Sequence, residues 1–137
     1  MAKQIIQNPS ITLNGTAMHA NITQVTINLT AEDVDMTNFG SLGWKERTGG
    51  LKDGSISFEF QNDYAAAALD SQLFPLLGTA IPFIIQPAST ATASSSNPKY
   101  SGTLVVTEYS PADSAVGDLA AFSVTYPTVG AVTRGTV

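Results

Sequence analysis

Between Gly54 and Gln86 the spacing of apolar and polar residues changes twice, and each change predicts an element. Gly54-Ser55-Ile56-Ser57-Phe58-Glu59-Phe60 alternates strictly. Ile56, Phe58 and Phe60 share one face, and Ser55, Ser57 and Glu59 share the other, which is the period of a half-buried strand. Asn62-Asp63 then offers side-chain oxygens for the first free amides of a helix. Tyr64 to Leu73 is rich in alanine and sets Leu69 and Leu73 four apart, so a helix here has one apolar face. Pro75 disfavours helical geometry at Phe74, and Gly78 suits the left-handed turn that follows. Ile81 to Ile85 is an apolar run of strand length. So short a helix does not hold alone in water and must lie against the sheet.

The rest of the chain predicts further strands. Asn14-Gly15 between Ile11-Thr12-Leu13 and Thr16-Ala17-Met18 is a hairpin signal. Asn21 to Leu29 alternates, with Val25, Ile27 and Leu29 on one face and Gln24, Thr26 and Asn28 on the other. Residues 88–98 are a run of Ser, Thr and Ala that reads as a surface loop. Lys99 to Tyr109 returns to strand, residues 110–117 turn, and Asp118 to Pro127 is a strand with Phe122, Val124 and Tyr126 on one face. Val129 to Val137 is expected to add an edge strand or an arm. The pattern as a whole is mainly β, in a single domain spanning 1–137.

Residues 31–53 keep no period of 2 or 3.6 and read as a long irregular loop. The stretch holds Gly40, Gly43, Gly49, Gly50 and the only tryptophan, Trp44. Its charges are sorted: Glu32, Asp33 and Asp35 open it, and Lys45, Arg47 and Lys52 close it, with Glu46 and Asp53 between. Phe39, Leu42, Trp44 and Leu51 give it apolar anchors, which a solvent loop rarely carries. Two readings are open: a loop folded back on its own core, or an arm that docks on a neighbour.

Composition sharpens that choice. Charged residues make up 12% of the 137, against about 25% in an ordinary soluble domain, while the hydrophobic fraction is 43%. Surface charge normally keeps a monomer soluble and its sheet edges unpaired. A surface this poor in charge is either a Thr-rich β surface or one that faces other copies. The net charge of -5 argues against ordinary nucleic-acid binding, which needs a basic stripe. There is no cysteine, so no disulfide or thiolate chemistry. The first residues lack the apolar core of a signal peptide, and no run approaches a membrane span, so the cytoplasm is the expected place of synthesis.

Candidate chemistry is sparse. A single histidine, His19, is a poor basis for a triad or a zinc site. Asp33, Asp35 and Thr37 match the first three ligand positions of a calcium loop, but Asn38 stands where glycine is needed and Trp44 where glutamate is needed. No glycine-rich phosphate loop is present, and Asn-X-Thr sequons at Asn14, Asn21 and Asn28 lack a secretory context. No enzyme, metal or cofactor is expected. A carbohydrate-binding β-sandwich would need aromatics in a row, and Trp44, Tyr100 and Tyr109 are scattered along the chain.

The layout then resembles a family. The residues are the Gly50-Leu-Lys-Asp-Gly54 turn, the Ser55-Ile-Ser-Phe-Glu-Phe60 strand, the alanine-rich helix, Leu76-Leu-Gly-Thr79, Asn97-Pro-Lys-Tyr-Ser-Gly102, Phe122-Ser-Val-Thr-Tyr-Pro127 and the tail through Arg134. Their order resembles that of the major tail tube proteins of long-tailed, non-contractile (siphovirus-type) bacteriophages. The resemblance implies a β-sandwich or flattened barrel with one short flanking α-helix, and a structural rather than enzymatic role. It implies rings of six copies stacked into a hollow virion tail tube, tape measure and tail terminator proteins as further partners, and genome DNA passing without specific binding. It places residues 31–53 as the loop that reaches an adjacent ring. Asp33, Asp35, Phe39, Trp44, Lys45, Arg47, Leu51 and Lys52 are then the expected intersubunit contacts, the cations meeting acids on the next copy. It also implies a lumen of negative potential, with Glu59 the first candidate lining acid and Glu108 the second. Six copies at -5 give a ring of about -30, which repels phosphate. Other structural roles fit the same layout, such as capsid decoration or tail completion.

Overall fold

The computed structural model describes residues 9–62, 64, 69–88, 93–94, 97–110, 112 and 115–136. Seven strands run in chain order: β1 Ser10–Leu13, β2 Thr16–Ala17, β3 Ile22–Asp35, β4 Arg47–Gln61, β5 Ala80–Gln86, β6 Lys99–Val105 and β7 Ala121–Gly135. One short helix, α1 Leu69–Leu73, lies between β4 and β5 and tightens into a 3-10 turn over Phe74–Leu76. All strand pairings are antiparallel, in the order β2-β1-β5-β6-β7-β4-β3.

β7 joins two halves of this sheet. Its first half, Ala121 to Pro127, pairs with Gln61 to Ser55 of β4. Its second half, Thr128 to Gly135, pairs with Leu104 to Lys99 of β6. Just beyond this change of partner, within the second half, Gly130, Ala131 and Val132 oppose Gly102 alone, a bulge that bends the strand. The sheet folds over at that point and encloses a core without closing into a barrel, a flattened sandwich. Residues 129–135 are therefore the continuation of a central strand rather than a separate edge strand or arm.

The predicted faces hold. Ile56, Phe58 and Phe60 of β4 are buried, as are Ile81, Phe83 and Ile85 of β5 and Phe122, Val124 and Tyr126 of β7. Aromatic rings dominate the centre: Phe58 meets Phe60 at 5.2 Å and Tyr126 at 6.0 Å, and Phe60 stacks on Phe122 at 5.1 Å. Leu69 and Leu73 of α1 are buried in the same core, one helical turn apart as the sequence predicts. The predicted start of this helix, residues 65–68, and Asp63 lie outside the described residues. Gly78 takes a φ of 86° after the helix, and Asn14 and Gly15 take φ of 52° and 80° in the β1–β2 turn. The buried Tyr126 hydroxyl donates to the Glu108 carbonyl at 3.1 Å. Burial, with the Glu108 charge behind it, raises its pKa above the ordinary phenol value, so it stays neutral.

Three predicted boundaries need correction. β6 ends at Val105, not Tyr109, because the chain beyond it turns to hold the helix. The Tyr109 hydroxyl donates to Asp70 and lies 3.2 Å from the Asn62 side-chain amide, and its ring packs edge-on against Phe122. β3 runs on from Leu29 to Asp35, and β4 begins at Arg47. Residues 31–53 are thus mostly a two-stranded ribbon, and only 36–46 lie outside its strands. Of the predicted 88–98 surface loop, residues 89–92, 95 and 96 lie outside the described residues. The rest is closed on itself, because buried Asn97 exchanges side-chain hydrogen bonds of 3.1 Å with both backbone groups of Ala88.

The two faces of β4 should respond oppositely to truncation. Phe58→Ala is expected to cost about 3–5 kcal/mol in urea unfolding. Ser57→Ala, one residue away on the solvent face, should stay within about 0.5 kcal/mol of the unmodified protein.

Candidate self-assembly interface

The ribbon forms an arm. β4 pairs with β7 only as far as Ser55, so residues 47–54 have β3 as their one strand partner. Gly54 marks the root. A Cβ there would stand 2.8 Å from the Leu29 side chain and 3.0 Å from Thr128 Oγ1, and Thr128 Oγ1 donates to the Gly54 carbonyl at 3.1 Å. A larger residue there would push the Leu29 side chain and Thr128 aside. At about 3.4 Å per residue, the stretch from Gly54 to Arg47 carries the tip about 24 Å outward. A bulge sets two β4 residues, Gly50 and Leu51, against Glu32. The amide of Leu51 is satisfied by Glu32 Oε2 at 3.2 Å.

The tip, 36–46, is held by its own polar groups. Met36 N–H donates to the Glu46 carbonyl at 2.9 Å, and Glu46 N–H donates to Thr37 Oγ1 at 2.8 Å. Asn38 caps a 3-10 turn over Phe39–Ser41: its Oδ1 accepts from Gly40 N–H at 2.8 Å, and Ser41 Oγ accepts from Asn38 N–H at 3.1 Å. Leu42 follows at a φ of 55° and Gly43 at 84°. A leucine in that conformation costs about 1–2 kcal/mol.

With polar groups turned inward, the apolar ones point out. Phe39 is fully exposed, Leu42 is 86% exposed, and Trp44 and Leu51 are each 79% exposed. The reading in which this segment folds back on its own core is therefore overturned. The charged residues are all on the arm too. Arg47 Nε meets Asp33 Oδ2 at 3.5 Å, so the sorted charges pair first within the chain. Both side chains are more than half exposed, and such a pair contributes at most about 1 kcal/mol. Asp35, Lys45 and Lys52 are exposed as well.

A second surface is the outer face of β3, β4 and β7. Its rungs are Gln24-Glu59-Ser123 and Thr26-Ser57-Thr125. Ser57 and Thr125 share a hydroxyl hydrogen bond of 2.9 Å. Glu59 is the one charge on these rungs, and Glu108 lines the same shallow depression of about 410 Å³. The two acids singled out in the sequence are thus brought together, although 49 residues separate them. The sequence reading missed Met36 and Val34, which are also exposed on the arm. Their signal was the polar-apolar alternation of Asp33 to Met36, too short to separate from loop.

Other candidates do not assemble. His19 is exposed in a 3-10 turn over His19–Asn21. Among the described residues no group of three or more His, Cys, Asp or Glu is placed to hold a metal ion. No described helix is long and apolar enough to cross a membrane. Trp44, Tyr100 and Tyr109 make no aromatic platform, since Tyr109 is turned inward onto Asn62, Asp70 and Phe122.

No protein-family model and no curated protein matches the chain. Solved structures do. One similar chain belongs to the virion of a native gene transfer agent (GTA) particle, with a TM-score of 0.72, 19% identity, and coverage of 96% of this chain and 98% of that one. Another belongs to the tail of an empty GTA particle with C6 symmetry, with a TM-score of 0.73 and the same identity and coverage. At this identity the likeness is one of fold, and it extends over nearly the whole of both chains.

Asp35 offers a pH test of the tip. Its carboxylate accepts from the Thr37 side chain and backbone, which lowers its pKa below the ordinary 3.8. The turn is therefore fully supported above pH 3.8 and loses that support as pH falls through the lowered value. Amide exchange at Thr37, corrected for intrinsic rates, should accelerate only below that point, and Asp35→Asn should remove the dependence.

Proposed function

We propose that this chain is a structural subunit of a phage-like virion tail. Copies form rings of six, and the rings stack into a hollow tube. The arm carries the reading: it is ordered by its own hydrogen bonds yet directs Phe39, Leu42, Trp44 and Leu51 into solvent. A monomer gains nothing from that arrangement, whereas aromatic anchors of this kind supply most of the binding energy in interfaces. The fold supports the same reading, since the shared architecture includes a chain of a six-fold symmetric GTA tail. The tail of a long, non-contractile virion is the specific setting, with synthesis in the host cytoplasm.

In this reading the arm docks on the adjacent ring through Phe39, Trp44 and Leu51, and Asp33, Asp35, Lys45, Arg47 and Lys52 set its register. The outer face of β3, β4 and β7 lines the lumen. Hydroxyl and amide side chains dominate its rungs, and Glu59 adds one negative charge per copy. Such a wall offers phosphate no cation to hold, so DNA passes without capture. A tape measure protein and a tail terminator are the other partners, and the role is not enzymatic.

Purified protein should form rods with a central channel in negative-stain microscopy, and a chain that stays monomeric at millimolar concentration would sink the reading. Trp44→Ala should raise the concentration needed for rods by at least about tenfold, since losing an aromatic anchor costs about 2 kcal/mol. Lys45→Glu with Arg47→Glu should lower the salt concentration at which rods fall apart; rods of normal length and salt resistance would remove those residues from the contact.

Glu59→Lys should leave rods intact but make them retain DNA at low salt, in a manner reversed by raising ionic strength. Unchanged DNA retention would place that face away from the channel.

A further inference from the structure

Asn14 and Gly15 form the loop between β1 and β2, and no other asparagine in the chain precedes a glycine. Both take positive φ, 52° and 80°, the mark of the tight hairpin turn that Asn-Gly favours. Leu13 faces Thr16 across the loop, and the Asn14 N–H donates to the Pro82 carbonyl at 2.9 Å. The backbone entering the turn is held, but the two groups able to react with each other are not. Among the described residues neither the Asn14 side chain nor the Gly15 amide has a hydrogen-bond partner. Both residues are exposed, and a Cβ at Gly15 would meet nothing within 4 Å, so the space around the turn is open.

The six other asparagines lack this combination. Asn8 and Asn97 precede proline, whose nitrogen carries no hydrogen. Asn38 Oδ1 accepts from Gly40 N–H at 2.8 Å, and the side-chain amides of Asn21 and Asn62 donate to the Gln61 and Ser110 carbonyls, each at 3.4 Å. Asn28 lies within β3 opposite Ser55, its backbone fixed by the ladder, with the bulky Leu29 next in the chain. Asp53-Gly54, the acid counterpart of the pair, is inside β4 with Gly54 buried.

We propose that Asn14 is a site of spontaneous covalent modification, with water as its co-reactant. The Gly15 nitrogen attacks Asn14 Cγ. The N–Cγ bond forms, the Cγ–Nδ2 bond breaks, and Nδ2 leaves as ammonia with the proton lost from the Gly15 nitrogen. The cyclic imide then takes up one water. Opening at one carbonyl leaves aspartate at position 14; opening at the other routes the main chain through the former side chain and leaves isoaspartate. Either product adds one negative charge, but they differ in their effect on the fold. Aspartate tolerates positive φ, so the turn persists. Isoaspartate lengthens the main chain by a methylene, which so short a loop between Leu13 and Thr16 cannot take up. β2 is only Thr16–Ala17 and is the outermost strand, so it lets go of β1. Met18, buried and bonded through its N–H to the Ile11 carbonyl at 2.8 Å, confines the opening to the hairpin. The reaction needs no second copy and stands apart from the tail reading.

The test holds purified protein in mildly alkaline buffer at physiological temperature and follows it by peptide mapping and by ammonia release. The Asn14 peptide should convert to the acid at least several-fold faster than any other asparagine, with isoaspartate, detected by enzymatic methylation, among the products. Conversion spread evenly over the other asparagines overturns the proposal. So does an Asn14 that stays intact in the folded chain while the same peptide, freed by digestion, converts. Asn14→Gly retains a sequence that suits this turn and should cut ammonia release several-fold; undiminished release would reject the site. Amide exchange at Thr16 and Ala17 reads the consequence. It should be several-fold faster in the isoaspartate fraction than in Asn14→Asp, and equal exchange in the two would overturn the release of β2.

Discussion

The structure depends on one packing constraint: a thin core filled by strictly alternating strands. Positions 56, 58 and 60, 81, 83 and 85, and 122, 124 and 126 all point inward and are all buried. That alternation sends Ser, Thr, Gln and Glu outward from the centre of the β3, β4 and β7 face. Most of the large apolar residues left in solvent therefore come from the arm and the connecting segments. The flank of the sandwich is polar, while the arm and the connecting segments carry most of the exposed apolar side chains.

β7 is what keeps the constraint consistent. One strand serves both halves of the sheet, so Phe122, Val124 and Tyr126 pack against β4 while the second half completes the ladder of β6. β7 changes partner beside Gly54 of β4 and carries a three-against-one bulge just beyond that point. The same departure of β7 leaves residues 47–54 without a partner on one side, and so the arm begins there. Arm and fold-over are two consequences of a single local geometry.

What could be read from the sequence follows the range of the signal. Strand faces, the Asn14-Gly15 turn, and the Leu69 and Leu73 contacts are set by residues a few positions apart, and they appear as predicted. The arm was misread as irregular because an isolated ribbon has no buried face, so it needs no alternation. Its strands are instead tied by cross-strand contacts such as Arg47 with Asp33 and Leu51 N–H with Glu32, which no local period reveals. Pro127 ended the visible pattern of the last strand, yet it pairs with Ser55 at the place where β7 changes partners. The acids at 59 and 108 were chosen singly from strand polarity. Their meeting in one depression is a product of topology, which no local spacing encodes.

In the proposed assembly the arm also has to remain soluble until it docks. Two-stranded ribbons are marginal on their own, and exposed strand edges invite pairing with the wrong partner. Here the ribbon strands carry charge along their length, with Glu32, Asp33 and Asp35 on one and Arg47, Lys52 and Asp53 on the other. Those charges discourage unselective strand addition and leave the apolar tip as the adhesive element. Capping by Asn38 and the left-handed turn at Leu42 and Gly43 orient that tip before contact, which lowers the ordering cost of binding. The low charge of the whole chain then has a physical counterpart. Nearly half of the charged residues lie in 31–53, where in the proposed assembly they guard the ribbon edges and set its register, and the rest of the chain is left thinly charged.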